Sequence, residues 1–353
     1  MKLQIKSLNL PVHGNGKILI AGPCSAETEV QTMKTAELLN KIGCRIYRAG
    51  AWKPRTKPSQ FEGNGEEALK WMRNVKKEYG MMLATEVATP VHVELALKYG
   101  IDILWIGART SSDPFAVESI SQALQGCDVP VLIKNPINPD IELWIGAIER
   151  INKAGITRIG AIHRGFSVYE KSMFRNLPIW QIPIELRRRC PGLPLLCDPS
   201  HICGRRDIIL PVIQQATDIG VDGFIIESHH SPDEAITDAK QQLTPDSLNS
   251  MISKVIEKSE SIESEELQHM REYIDILDKQ WIHTLAERFS VCAKIGEHKK
   301  EKGCIVLQNE RYSEVTNNCI RIAKERGVNT NLIQKIIELV HTESVRLQTN
   351  SNI

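Results

Sequence analysis

Lys17 to Ser25 reads KILIAGPCS and Asp222 to His230 reads DGFIIESHH; each is a short apolar run that breaks off on a residue able to do chemistry, Cys24 and Glu227. Six further runs of the same kind lie between them. They close at Arg48 (CRIYRAG), Glu86 (MMLATEV), Arg109 (DILWIGAR), Lys134 (VPVLIKN), Arg164 (RIGAIHR) and His201 (LPLLCDPSH). Unbroken apolar runs of this length suit strands covered on both faces. Helix-length segments such as Glu29 to Ile42 separate them, so strand and helix alternate eight times. Strands joined through helical crossovers form a parallel sheet, and eight such units predict a closed (β/α)8 barrel. The active groups of barrels gather at the carboxyl ends of the strands, where these polar residues fall.

Taken singly, a charged residue at a strand end is as well explained by a solvated loop. Taken together, the eight ends offer metal ligands at Cys24, His201 and Glu227 and a cation at Arg48, Arg109, Lys134 and Arg164. That combination predicts a mouth built for a metal and an anionic, phosphorylated substrate. Asp238, eleven residues after Glu227 and beyond a strand-end loop, adds a second carboxylate able to face the same cavity. One thiolate, one imidazole and two carboxylates suit manganese, iron, cobalt or zinc better than magnesium or calcium.

A barrel needs about 250 residues, so 353 leave room for one smaller module. A formal charge of +1 gives no global field for nucleic acid, and no apolar stretch approaches the roughly 20 residues that span a bilayer. Nine cysteines form no CxxC pair, and the chain opens MKLQIKSLNL without a signal-peptide pattern. The expected setting is the reduced cytoplasm, with Cys44 and Cys292 as inert core residues.

The barrel is expected to occupy residues 1–257, its last helix falling at about Asp246 to Ile256. Residues 258–266 read KSESIESEE, polar and serine-rich, the mark of a linker. Leu267, Met270, Ile274, Leu277, Trp281 and Leu285 then keep three-four spacing, and the pattern runs on toward Ile295, predicting one long amphipathic helix. Two shorter helices follow, about Ser313 to Arg326 and Leu332 to Gln348, separated from the long helix by the brief β-type run CIVL at Cys304. A three-helix module over 267–353 holds little core by itself and is expected to pair with a second copy.

AGPCS at 21–25, RAGAWKPRT at 48–56, IGAR at 106–109, LIKN at 132–135, DPSH at 198–201, GRRD at 204–207 and the Glu227 to Asp238 segment carry a resemblance. From about residue 17 to 245 the chain resembles the 3-deoxy-D-arabino-heptulosonate 7-phosphate (DAHP) synthases, in the compact class that includes the octulosonate synthases. The resemblance implies condensation of phosphoenolpyruvate with erythrose 4-phosphate, with release of phosphate. It makes Cys24, His201, Glu227 and Asp238 the metal ligands, and places Arg109 and Arg164 on the phosphate of phosphoenolpyruvate. Arg48, Lys53 and Lys134 would surround its carboxylate and reacting carbons, and Arg55 and Thr56 would grip the sugar phosphate. KPRT bears on the octulosonate rival, whose segment usually reads Lys-x-Asn-Arg, and favours the shorter aldose.

In the tail, Arg288 and Lys299 are eleven residues apart, about three turns, and share a helix face. Arg271 precedes Arg288 by 17 residues, roughly 25 Å along the axis, too far for one small ligand within one chain. Antiparallel pairing with a second copy would bring it to the partner's site. MREYIDILD, LAERF, KIGEHK, QNER and ESVRLQ resemble the all-helical chorismate mutases over about 265–349, a family of intertwined dimers. The resemblance implies that Arg271 and Arg288 bind the carboxylates of chorismate, Lys299 and Gln348 the ether oxygen, and Arg311 and Ser344 complete the pocket. Tyr312 stands where many relatives have Glu, and Gln308 where an Asp is frequent. The rival reading makes the tail a module that senses chorismate or prephenate and dimerises without turnover. Because the first strand begins at once, with no regulatory segment in front, control of the barrel is expected to come from the tail.

Overall fold

The structure is a computed structural model and describes residues 3–14, 16–54, 60–169, 172–256 and 265–349. It falls into two compact units, Met1–Glu260 and Ser261–Ile353.

The first unit is a closed barrel. Its parallel strands are β2 (Lys17–Gly22), β3 (Ile46–Arg48), β4 (Met82–Val87), β5 (Ile103–Ile106), β6 (Val131–Lys134), β7 (Ile159–His163), β8 (Leu195–Cys197) and β9 (Gly223–Glu227). Each pairs with the next, and β9 returns to β2 in the register Ile18 opposite Gly223 through Gly22 opposite Glu227. A two-residue strand, β1 (Val12–His13), turns through Gly16 to lie antiparallel on β2 and was not legible as a strand.

The period-two geometry of a strand explains why the runs are apolar throughout. In β5, Ile103 and Trp105 join the inner cluster, whereas Leu104 and Ile106 pack with the surrounding helices. Ile20, Ile46, Ala84, Leu132, Ile162, Leu196 and Ile225 complete the interior, and Leu8 from the segment before β1 packs against them. The crossover helices start where side chains cap them: Thr28, Thr89, Asp113, Asp140 and Thr244 each accept a backbone N–H of the first turn.

Strands end before the apolar runs do. Arg109 stands in a short helix, Ala108–Ser111, and His201 in another, Pro199–Cys203, so both chemical groups are carried one turn past the sheet. The last barrel helix is Pro245–Ile252.

Among the described residues the second unit forms three helices, Glu265–Glu301, Asn309–Glu325 and Thr330–Thr349. CIVL forms no strand; Gly303 and Gly327, both at positive φ, turn the chain between helices. The segment expected to link the units lies almost wholly outside the described residues. Among described residues of this unit only Cys292, Gly296, Ala323 and Ser344 are buried. Tyr273, Ile274, Trp281 and Ile282 of the long helix are all more than half exposed, an apolar face that the three helices leave uncovered among the described residues. Among described residues no helix of the chain is long and apolar enough to cross a membrane.

Candidate active sites

Cys24, Glu227 and Asp238 converge past the carboxyl ends of β2 and β9, their ligand atoms all within 4.8 Å of one another. Cys24 Sγ is 3.4 Å from Asp238 Oδ2 and 3.1 Å from Lys53 Nζ. His201 stands beside the trio, its Nε2 3.7 Å from Glu227 Oε1 and its Nδ1 2.8 Å from Asp198 Oδ2. Asp198 thereby fixes the ring and leaves Nε2 turned to the other donors, the arrangement by which a carboxylate orients a metal-binding imidazole. A thiol, an imidazole and two carboxylates so close together fit a borderline divalent ion.

Electrostatics follow from burial. The Cys24 thiol is pushed up to about 12 by burial and then by Glu227, so without a cation it keeps its proton. Burial also opposes ionisation of Asp238, but Arg175, His201 and Lys53 outweigh it and hold the carboxyl at about 2. Burial lowers the His201 imidazole, toward the neutral form that a metal ligand takes. Asp198 is fully buried, yet His201 and Lys134 hold it well below the usual carboxylate range.

Above this cluster opens a cavity of about 590 Å³ whose wall includes Lys53, Arg109, Lys134, Arg164 and Arg175, with Glu86, His201 and Asp238. Lys134 Nζ donates to Asp198 Oδ2 at 2.7 Å and lies 5.8 Å from the centre of the Trp105 ring. The Arg164 guanidinium donates to Asn176 Oδ1 at 2.8 Å. Burial lowers it to about 10, so it stays cationic at neutral pH. Arg109 reaches the carbonyl of Pro54 at 3.4 Å. Arg48 is not on the wall. It lies beneath, 1% exposed, donating to Glu227 Oε1 at 3.2 Å and to the Cys24 carbonyl at 3.0 Å. Arg55 and Thr56 lie outside the described residues.

Sequence reasoning missed Asp198, which serves Lys134 and His201 together, although DPSH was in view. It also missed Arg175 and Asn176, which belong to no strand end; Asn176 Nδ2 donates to the His201 carbonyl at 2.7 Å and so ties Arg164 to the His201 helix. Glu86 accepts the Trp105 indole N–H at 2.9 Å, and a Cβ on Gly107 would come within 2.3 Å of Glu86 Oε1. A side chain at the glycine of IGAR would therefore push the Glu86 carboxylate from its present place beside Trp105.

In the tail, Arg288 donates to Ser344 Oγ at 2.6 Å, joining the long helix to the last. Gln348 sits on the same helix as Ser344, its backbone so close to Gly296 that a Cβ there would approach to 2.6 Å. Among the described residues Gln348 Oε1 is buried without a hydrogen-bond partner, as are Thr316 Oγ1 and His341 Nε2. Lys299 Nζ donates to the Val306 carbonyl at 2.7 Å. Tyr312 packs its ring on His341, centroids 4.2 Å apart. Arg311 pairs with Glu314 at the surface, and Arg271 is exposed, so neither joins Arg288 and Ser344 within one chain.

The model of the DAHP synthetase I family matches residues 3–264, the whole barrel. The chain belongs to that family. Residues 270–349 match the model of chorismate mutase type II, so the two family models follow one another in a single chain. The phospho-2-dehydro-3-deoxyheptonate aldolase of Thermotoga maritima is 38% identical over 231 residues, 65% of this chain and 66% of its own. This chain thus spans just under two thirds of that relative. A 2-dehydro-3-deoxyphosphooctonate aldolase of Geobacter metallireducens is 29% identical over 260 residues, 67% of this chain and 90% of its own. A crystal structure of the Thermotoga DAHP synthase superposes with a TM-score of 0.63 at 32% identity, covering 78% of this chain and 75% of that one.

Proposed function

We propose that the barrel condenses phosphoenolpyruvate with erythrose 4-phosphate to DAHP and phosphate, and that the tail rearranges chorismate to prephenate. The observation that carries the first reading is the cationic wall of Lys53, Arg109, Lys134 and Arg164 set over the Cys24, Glu227 and Asp238 donors. Cys24, His201, Glu227 and Asp238 would hold a divalent ion, with manganese the leading candidate and iron, cobalt or zinc as others. Bound there, it would supply Lewis-acid polarisation of the aldehyde.

The protein's own groups do the rest. Arg109 and Arg164 offer forked donors to the phosphate of phosphoenolpyruvate. Lys134, fixed by Asp198, and Lys53, beside Cys24, place point charges near its carboxylate and reacting carbons. Arg48, engaged with Glu227 and the Cys24 carbonyl, holds these donors from beneath. Arg55 and Thr56 would receive the sugar phosphate. Aldose choice tests the reading: erythrose 4-phosphate should be used far better than arabinose 5-phosphate, and Arg55→Ala should raise the KM for the aldose more than that for phosphoenolpyruvate. Equal efficiency with both sugars would favour the octulosonate reading.

Chorismate rearranges by a unimolecular step, so the tail needs only to hold a compact dicarboxylate and stabilise charge on the breaking ether bond. Arg288, Lys299, Arg311, Ser344 and Gln348 would do so, with Arg271 supplied by the partner of a homodimer. Support comes from Gln348 Oε1, buried and unpartnered among the described residues, and from the exposed apolar face of the long helix. Tyr312, standing where many relatives have Glu, favours the rival in which the tail binds chorismate or prephenate without turnover. Loss of chorismate absorbance on adding the purified full-length chain separates the two.

A further inference from the structure

Each carboxylate among the barrel donors turns one oxygen toward the other donors and one away. Asp238 Oδ2 faces Cys24 Sγ, and Glu227 Oε1 faces His201 Nε2 and Arg48. The outer oxygens are held by two residues that bond each other. One guanidinium nitrogen of Arg175 donates to Asp238 Oδ1 at 3.0 Å and to Gln241 Oε1 at 2.8 Å. Gln241 Nε2 donates to Glu227 Oε2 at 2.7 Å. A single chain of hydrogen bonds therefore runs from Asp238 through Arg175 and Gln241 to Glu227.

The residue types suit the directions of these bonds. Gln241 is 1% exposed and must accept from a guanidinium at one end and donate to a carboxylate at the other. A carboxylate in its place could only accept, and an ammonium could only donate. Asp238 also sits at φ 49°, in the left-handed region that non-glycine residues seldom adopt, so its loop needs support from outside. Arg206 supplies part of that support, donating to the carbonyls of Ala239 and Gln242 and to Asp233, each at 2.7 Å.

We propose that Arg175 and Gln241 are positioning residues that set the spacing and orientation of Asp238 and Glu227, and through them the affinity of the barrel for a divalent cation. The inference rests on the reading of Cys24, His201, Glu227 and Asp238 as metal donors. Neither positioning residue touches the reacting atoms in this role. The sign of the effect is diagnostic. If Arg175 acted only as a positive charge near a cation, removing it would tighten metal binding; if it acts by holding Asp238, removing it weakens binding.

The experiment strips the full-length chain with a chelator and titrates Co(II), following the near-ultraviolet absorption of the cobalt-thiolate bond, with Mn(II) competition by calorimetry. Arg175→Met and Gln241→Leu should each weaken affinity by roughly 10- to 100-fold, the usual cost of losing a group that orients a metal ligand. Arg175→Lys, which keeps a cationic donor on a shorter stem, should retain more of it than Arg175→Met. The Arg175 side chain is 47% exposed, so its replacement leaves folding to the core, and circular dichroism of the stripped protein verifies this. Should Gln241→Leu fail to fold, Arg175→Met and Arg175→Lys decide the matter. Wild-type affinity, or tighter binding, in folded Arg175→Met overturns the proposal. A wild-type chain that binds no Co(II), or a Cys24→Ser variant that keeps the thiolate band, overturns the metal reading on which it rests.

Discussion

His163 closes β7, one residue before Arg164, and is wholly buried among the rings of Trp144, Phe166 and Trp180, with centroids 6.4, 5.7 and 5.0 Å away. Burial first, then the adjacent Arg164 charge, lowers the imidazole from 6.5 to about 3, so the folded barrel holds it neutral. Between those values the unfolded chain binds the proton and the folded chain does not. Stability therefore rises with pH through this window: the contribution is complete above about 6.5 and is lost progressively as pH falls toward 3. At pH 5, proton binding by the unfolded chain costs about 2 kcal/mol relative to pH 7.5, from the ordinary histidine value of about 6.5 and the linkage relation. A His163→Phe variant cannot make this exchange. Its own packing cost, of about 1 to 3 kcal/mol, is independent of pH and cancels when each protein is compared with itself. Urea unfolding of both proteins at pH 7.5, 6 and 5, read by the tryptophans of the barrel, should show the wild type losing about 2 kcal/mol more than the variant. Equal losses in the two proteins would refute the reasoning and mean that His163 is charged in the fold.

Chelation should abolish synthase activity and Mn(II) restore it, while Cys24→Ala should not be restored; full activity in the chelated wild type would remove the metal from the mechanism. Arg288→Ala should lower mutase turnover roughly 100- to 1000-fold, the cost of one preorganised donor, and leave Co(II) binding in the barrel unchanged. Mixed and re-equilibrated Arg271→Ala and Arg288→Ala chains should regain part of the mutase activity if Arg271 acts across a dimer, and no regain in demonstrably mixed dimers would put both arginines in one chain's site. If the tail controls the barrel, prephenate should slow the full-length synthase and leave a chain ending at Glu260 unaffected; an equal response from the short chain would show that the tail is not the sensor.

The eight strands were legible because a strand buried on both faces has no freedom to be polar: Ile103 to Ile106 is apolar throughout since Trp105 fills the barrel and Leu104 meets the helices. The helices of the tail were legible for a related reason, the three-four spacing that an apolar stripe imposes from Leu267 onward. Cys24, Glu227 and Asp238 could be nominated from residue type and strand-end position. Their convergence to within 4.8 Å required closing β9 against β2, a pairing across about 200 residues that no local pattern contains. Tertiary structure alone decided that Arg48 lies under the donors while Arg175, in an irregular loop, bonds Asp238 and Gln241. A side chain's partner depends on which loops the closed sheet brings together, and hydrogen-bond geometry is fixed to fractions of an ångström that periodicity does not encode. The same limit explains Asp198, one carboxylate serving Lys134 and His201 at once: the residue is visible in DPSH, but its work depends on β6 lying close to the short helix that follows β8.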